Sequence, residues 1–215
     1  MKKLIPITVA IVSIFVSCKK DKQNKSDDKG DMTFQINALP KEPLNNDELV
    51  SLNMIREEEY LAYDVYTTLY NKWGQKIFSN ISSSEQSHTN AVSSLLRKYD
   101  LADISNNHTL GVFNDSTLQA LYTQLIAQGS ISKLNAYIVG ATIEDLDIYD
   151  LNTWSTKVDN QDIMYVFQNL NKGSRNHMRS FYGQIKSVGG SYAAQYISQS
   201  ELNSIIFSPK ETGSN

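Results

Sequence analysis

The 215-residue sequence contains a single cysteine, Cys18, so it cannot form an intramolecular disulfide. It contains no glycine-rich phosphate loop, no Cys-x-x-Cys pair and no serine nucleophile in a strand–turn–helix context. These absences remove nucleotide-binding, zinc-ribbon and hydrolase interpretations. The formal net charge is −3 and there is no basic patch, so we expect no nucleic-acid partner. No long alternation of apolar and polar residues predicts a β-sheet.

The first residues have the pattern of a bacterial export signal. Lys2 and Lys3 precede an apolar run, residues 4–16, that is too short to span a bilayer as a permanent helix. The run ends in Phe-Val-Ser-Cys, which resembles the lipobox at which a signal peptidase cuts before the cysteine is acylated. We expect residues 1–18 to be a signal peptide and Cys18 to be lipidated. The chain would then be an exported lipoprotein, anchored to a membrane and facing the periplasm or the cell exterior. The alternative is an unmodified cysteine within a cleaved signal peptide.

The composition divides the rest of the chain into three parts. Residues 19–31 contain no apolar side chain to bury, so they cannot offset the entropy lost on ordering. We therefore expect residues 19–44 to be a disordered polar tether. One folded domain is predicted over residues 45–205, followed by a flexible tail, residues 206–215.

In four segments of this domain, mostly apolar residues recur at alternating spacings of three and four, so they fall along one face of a helix; we call such a row a stripe. The pattern predicts four helices that each pack by one stripe. In chain order, the four stripes consist of Leu52, Ile55, Glu59, Ala62, Tyr66, Leu69 and Trp73; of Phe78, Ile81, Glu85, His88, Val92, Leu95 and Tyr99; of Leu134, Tyr137, Ala141, Glu144, Ile148 and Leu151; and of Ile163, Phe167, Leu170, Ser174, His177, Phe181, Gln184 and Val188. Asn46 or Asp47 would cap the first helix and Gly74 would end it.

A long connection separates the second stripe from the third. It is rich in asparagine at first and then contains a short apolar pattern, Leu118, Leu121, Leu125 and Ile126, that ends at Gly129. This pattern predicts a short helix within a crossover. The fold class is therefore predicted to be all-α, a ferritin-like four-helix bundle whose second and third helices are joined by this long connection.

Polar residues lie in the middle of the stripes: Glu59, Glu85, His88, Glu144 and His177. An ionised carboxylate buried alone is costly, and no lysine or arginine lies on any stripe to neutralise these. Two divalent cations would satisfy the whole set, because carboxylate oxygens bridge metals and neutral imidazole supplies nitrogen. The alternative is a metal-free polar network, in which every donor and acceptor would need a partner.

The spacing of Glu85 and His88 adds to this interpretation. Residues three apart share a helix face, and di-iron carboxylate bundles repeat Glu-x-x-His on two helices with a single Glu on each of the other two. The segment from Glu59 to Tyr66 resembles the first-helix Glu-x-x-Ala-x-x-x-Tyr of rubrerythrin-type ferritin-like proteins. Residues 80–88, 140–151 and 173–177 resemble the DUF2202 branch of that superfamily. The likeness covers roughly residues 45–205.

This resemblance implies two metal ions, with iron favoured and manganese as the alternative. Where the family pattern has a second Glu-x-x-His, this sequence has Ser174 in the Glu position, which leaves a coordination position open. Asp147, one turn after Glu144, would either replace the missing carboxylate or hydrogen-bond a ligand such as His177. Tyr66 would pack in the core, hydrogen-bond a ligand or carry a radical.

The remaining ionisable residues are assigned ordinary roles. Glu57 and Glu58 lie off the first stripe, so we expect them to be solvated. Asp64 and Arg175 are expected to form surface or inter-helix ion pairs. His108, in the crossover, is expected to have no functional companions.

The ligand set favours an oxidoreductase, in which two Fe(II) ions are oxidised by O₂ or H₂O₂ in a ferroxidase-like or peroxidase-like reaction. The alternative is a non-catalytic lipoprotein module that sequesters iron or manganese. A third interpretation is a structural domain that has lost its metal. A lipid tether argues against a ferritin cage but is compatible with a homodimer.

Overall fold

The structure, a computed structural model, describes residues 32–213. Within these residues it is all-helical, and the only β-type pairing is an isolated bridge between Thr109 and Val112. The helices are α1 (Met32–Ala38), α2 (Asn46–Trp73), α3 (Lys76–Lys98), α4 (Ser116–Gly129), α5 (Lys133–Ser155), α6 (Gln161–Ser187) and α7 (Gln199–Ile206). The predicted all-α class is confirmed. The expected signal peptide, residues 1–18, and the predicted lipidation of Cys18 lie outside the described residues.

Four long helices surround one core. Helix α2 packs along α3 and α5 packs along α6, while α3 also contacts α6 and α2 contacts α5. These are the four helices predicted from the stripes. The short helix predicted from the apolar pattern before Gly129 is α4, which begins after the capping carboxylate of Asp115 and packs against α2 and α5. No helix among the described residues is long and apolar enough to cross a membrane.

The start of α2 is fixed by a capping box. Asn45, rather than the expected Asn46 or Asp47, is the N-cap residue, and its side chain accepts a hydrogen bond from the Glu48 amide. The Glu48 carboxylate accepts from the Asn45 amide at 2.8 Å and also from the amides of Asp159 and Asn160, at 3.1 and 2.9 Å. Glu48 thus joins the start of α2 to the turn between α5 and α6. At the other end, Gly74 ends the helix in a left-handed conformation, as predicted.

Both predicted flexible segments contain ordered structure. Residues 32–38 of the expected tether form α1, which buries Ile36 against α3 and α6. The Lys98 ammonium holds the end of α1 by donating to the carbonyls of Ile36 and Leu39 at 2.7 and 2.9 Å. The disorder prediction is therefore wrong for this part, because one buried isoleucine and one lysine are enough to dock a short helix.

The expected tail is also held in place. Glu211 pairs with the guanidinium groups of Arg175 and Arg179 on α6, and its backbone amide donates to Asn176. Residues 206–213 therefore do not behave as the expected flexible tail, because Ile206 packs against the core at the end of α7 and the polar contacts of Glu211 hold the residues after it.

Polar residues divide the core into two apolar clusters. One cluster includes Ala62, Phe78 and Phe181, and the other includes Ile55 and Leu170. Along α2, Ile55 and Ala62 lie on either side of Glu59, and along α6, Leu170 and Phe181 lie on either side of His177. The two clusters therefore enclose a polar layer at the middle of the long helices.

Candidate metal centre

Glu85 lies at the centre of the polar layer. It is on α3 and its side chain is 1% exposed. One carboxylate oxygen, Oε2, is 2.7 Å from Nδ1 of His88, and the other, Oε1, is 2.8 Å from Nδ1 of His177. One carboxylate thus faces two imidazoles, from α3 and α6.

Two further glutamates complete the layer from the other pair of helices. Glu59 on α2 places Oε2 3.1 Å from Nδ1 of His88. Glu144 on α5 places Oε2 3.4 Å from Nδ1 of His177. Each long helix therefore contributes at least one of the residues that the sequence singled out, and the structure brings all five together.

These residues form two groups that could each hold a metal ion. One is Glu59, Glu85 and His88, the other is Glu85, Glu144 and His177, and within each group the potential ligand atoms lie within 4.8 Å of one another. The groups share Glu85. In both histidines the nitrogen that faces the carboxylates is Nδ1, and the two rings stack with centroids 5.8 Å apart.

Several buried atoms in this layer lack hydrogen-bond partners. They are Glu85 Oε1, Glu144 Oε2, Asp147 Oδ2 and His177 Nδ1. Native proteins leave few buried polar atoms unsatisfied, because each costs the free energy of its lost hydration. Oxygen and imidazole nitrogen are the donors that iron, manganese and related divalent ions accept, so the residues present fit such an ion.

The buried carboxylates of this layer must be neutralised by protons or by cations. Burial raises the pKa of Glu59 to about 7, even though His88 opposes the shift, and burial also raises the pKa of Glu144. Burial lowers the pKa of His177, but Glu85 and Glu144 outweigh burial and raise it to about 10. Without metal, the carboxylates and imidazoles of the layer therefore carry protons. A bound divalent cation would displace these protons.

Asp147 lies beside the two groups without belonging to either. It is on α5, 5% exposed, and its Oδ2 atom has no hydrogen-bond partner. Burial, followed by the charges of Glu144, Glu59 and Glu85, raises its pKa well above the usual value. Asp147 is therefore close to the centre, and its role as a direct ligand stays a prediction.

The residues around the ligands hold them in place. The Tyr66 hydroxyl donates to Glu144 Oε1 at 2.5 Å, so this tyrosine orients a predicted ligand. Ser174 is 1% exposed and donates to the Leu170 carbonyl of its own helix at 3.2 Å. A Cβ on Gly173 would lie 2.7 Å from both Cε1 and Nε2 of His88. The His88 ring therefore fits against α6 only because residue 173 has no side chain.

Two expectations for charged residues of α2 are wrong. Glu57 and Glu58 are 7% and 4% exposed rather than solvated, because α2 is covered by α3, α4 and α5 on several faces. Glu58 lies within hydrogen-bonding distance of Asp150 on α5, and burial followed by Asp150 raises its pKa well above normal. Neither residue carried a signal in the sequence, since only the residues on the stripe were expected to be buried.

The crossover histidine also differs from its expectation. Nε2 of His108 lies 2.8 Å from Oδ2 of Asp64, which is fully buried, and the ring stacks on Tyr60 with centroids 4.1 Å apart. The Gly111 amide donates to the same oxygen of Asp64 at 2.5 Å. These contacts of His108 and Gly111 with Asp64 and Tyr60 hold the segment before α4 against α2. The expected ion pair of Arg175 is present, with Glu211.

The chain belongs to the family described as the uncharacterized protein domain DUF2202, whose model matches residues 48–209. The family predicted from the sequence motifs is therefore confirmed. The chain is 50% identical over 184 residues to the uncharacterized protein MJ0754 of Methanocaldococcus jannaschii, covering 86% of this chain and 100% of that protein. It also matches the crystal structure of the hypothetical protein MJ0754 from Methanococcus jannaschii DSM 2661, with a TM-score of 0.79 and 50% identity over 80% of this chain and 99% of that chain.

Proposed function

We propose that this protein binds two divalent metal ions in the polar layer and oxidises Fe(II) with O₂ or H₂O₂. The observation that carries the proposal is the pair of three-residue groups that share Glu85. Glu59, Glu85 and His88 would hold one ion, and Glu85, Glu144 and His177 would hold the other. The resemblance to di-iron carboxylate bundles favours iron, with manganese as the alternative, and oxygen and imidazole nitrogen donors bind either metal. The four long helices would then constitute a ferritin-like bundle with α4 in its crossover.

The protein's own groups would prepare the site for the metals. Glu85 would contribute to both sites, since its two oxygens face different imidazoles. Tyr66 holds Glu144 by its hydroxyl, and the missing side chain at Gly173 leaves room for His88. When bound, two Fe(II) ions would supply the two electrons that, with two protons, reduce one H₂O₂ to two water molecules.

The cellular setting of the proposal comes from the sequence alone. A lipid on Cys18 would anchor the domain to a membrane outside the cytoplasm, where it would meet metal ions, O₂ and peroxide from the surroundings. Homodimer formation is compatible with this arrangement.

Metal analysis tests the binding proposal. The chain is purified without chelator and reconstituted anaerobically with Fe(II) or Mn(II). We expect two ions per chain in the wild type, none held tightly in Glu85→Ala, and an unchanged content in Asp47→Ala, which removes an exposed carboxylate of α2. A wild-type protein that takes up neither metal would overturn the proposal and favour a structural domain.

Exposure of the Fe(II)-reconstituted protein to air or peroxide tests turnover. Oxidation to Fe(III), coupled to consumption of the oxidant and absent in Glu85→Ala, is the expected result. Metal that stays divalent in air would contradict oxidation and support sequestration instead.

A further inference from the structure

A pair of carboxylates lies between α2 and α5, next to the polar layer. Glu58 of α2 is 4% exposed, whereas Asp150 of α5 is half-buried and reaches the surface. The two side chains lie within hydrogen-bonding distance of each other. Among the ion pairs of residues 32–213, none includes either residue. This pair therefore has no positive partner in the described part of the chain.

One oxygen of the pair is both buried and unsatisfied. Glu58 Oε2 has no hydrogen-bond partner, and the same is true of Oδ2 of Asp147, one helical turn before Asp150. Two carboxylates in contact repel when both are ionised, and a buried acceptor without a donor is costly. A divalent cation bound between Glu58 and Asp150 would remove the repulsion and would also satisfy the unpaired oxygen, because hard cations bind carboxylate oxygens.

The acidic side chains continue from this pair into the centre. The spacing of three residues places Glu144, Asp147 and Asp150 in one row along α5, and Glu58 is next to the predicted ligand Glu59 on α2. The charges of Glu144, Glu59 and Glu58 all act on the Asp147 carboxyl group. The row along α5 thus leads from Asp150 at the surface to the predicted ligand Glu144.

Other approaches to the centre are blocked along the helix axes. The apolar cluster at one end contains the fully buried rings of Phe78 and Phe181, and the cluster at the other end contains Leu95 and Phe167. A hydrated cation would lose water without gaining ligands in either cluster. The acidic series between α2 and α5 approaches the layer from the side, so it avoids both clusters.

We propose that Glu58 and Asp150 form a transient binding site for divalent cations, from which Asp147 passes the ion to the buried centre. The inference rests on the proposed metal centre and adds to it a route of uptake. Carboxylates grouped near the surface attract cations, and in charged clefts such attraction raises the rate of association by roughly 10- to 1,000-fold.

The test measures the rate at which metal-free full-length protein takes up Co(II), followed by the visible absorption of the bound ion. Glu58→Gln/Asp150→Asn is compared with Asp47→Asn/Asp159→Asn, which removes the same charge from two exposed positions. We expect uptake by the first variant to be at least about tenfold slower than wild type, with a weaker dependence on salt, and uptake by the second to be close to wild type. Both should reach the wild-type plateau on long incubation. Thermal unfolding without metal checks that each variant is folded.

The outcomes separate this inference from the proposed function. Uptake by Glu58→Gln/Asp150→Asn at the wild-type rate would overturn the route while leaving the centre intact. A plateau lowered by one ion per chain at an unchanged rate would make Glu58 and Asp150 ligands of the centre, and would also overturn the route. A wild-type protein that binds no Co(II), Fe(II) or Mn(II) would overturn the centre itself, and the route with it.

Discussion

Nδ1 of His177 lies 2.8 Å from Oε1 of Glu85, yet the two atoms are not in hydrogen-bond geometry. Both atoms are buried and neither has a hydrogen-bond partner. Two polar atoms at this separation normally share a proton along the line between them. A divalent cation that displaced the proton of His177 could bind both atoms. The same carboxylate faces His88 through its other oxygen, so Glu85 belongs to both halves of the layer.

This shared position makes Glu85 the most sensitive residue of the centre. We expect Glu85→Gln to remove stabilisation by metal almost completely, whereas Glu144→Gln should weaken only the group that contains His177. Wild-type protein should gain about 2.7 kcal/mol in free energy of unfolding for each bound ion when the free Mn(II) concentration is about 100 times the dissociation constant. Thermal unfolding with and without Mn(II) measures this gain. An equal gain in wild type and Glu85→Gln would contradict the shared role.

The hydroxyl of Tyr66 has a role separate from its ring. Tyr66→Phe keeps the ring in the core but leaves Glu144 Oε1 without its 2.5 Å hydrogen bond. We expect a loss of roughly 1–3 kcal/mol in free energy of unfolding of the metal-free protein, measured in urea. Tyr63→Phe, at a half-buried position on the same helix, should change stability by less than about 0.5 kcal/mol. Equal effects of the two substitutions would show that the bond to Glu144 contributes little.

Two glycines of α6 provide a matched comparison. Gly173→Ala places a Cβ 2.7 Å from the His88 ring, whereas a Cβ at Gly183 has no atom within 4 Å. We expect Gly173→Ala to displace His88 and weaken Mn(II) binding by about tenfold or more. Gly183→Ala should leave binding unchanged and raise the free energy of unfolding by about 0.5–1 kcal/mol, since alanine favours the helix. Unchanged Mn(II) affinity in Gly173→Ala would mean that His88 is not held against α6.

The contact of the C-terminal segment with α6 should become less stabilising as the pH falls. Hydrogen bonds from Arg175 lower the pKa of Glu211 to about 2, against the opposing effect of burial and with further help from Arg179. Because the folded pKa lies below the usual 4.5, the contribution to stability is present above about pH 4.5 and is lost as the pH falls to about 2. We expect wild type to lose more stability than Glu211→Gln over this range in urea unfolding. The difference should stay below about 1 kcal/mol, because the pair is partly exposed. Parallel pH profiles would contradict the contribution of this pair.

The parts of the structure that follow from helical periodicity could be predicted from the sequence. Glu59, Glu85, His88, Glu144 and His177 were found together because each interrupts an apolar stripe, and a stripe fixes which face of a helix enters the core. The end of α2 at Gly74 was also predictable, because glycine adopts the left-handed conformation without strain.

Features that depend on contacts between distant segments could not be predicted in this way. Glu58 is buried off the stripe because α2 is covered on more than one face, and the partner of His108 is 44 residues away along the chain. Helix α1 docks with Ile36 buried, but its seven residues are too few to show a helical period in the sequence. The spacing of residues within one segment indicates none of these contacts.

The carboxylate of Glu48 affects the alignment of side chains far from its own position. It binds the backbone at the start of α2 and the two amides before α6, so it fixes the axial register of one helix against the other. Register decides whether a side chain on α2 and a side chain on α6 reach the same depth in the core. A shift of one residue would displace Glu59 relative to His177 by about 1.5 Å along the axis, which far exceeds the tolerance of roughly 0.2 Å in a metal–ligand distance. Alignment of the centre is thus set in part at a helix terminus, two turns or more from any residue that would touch a metal.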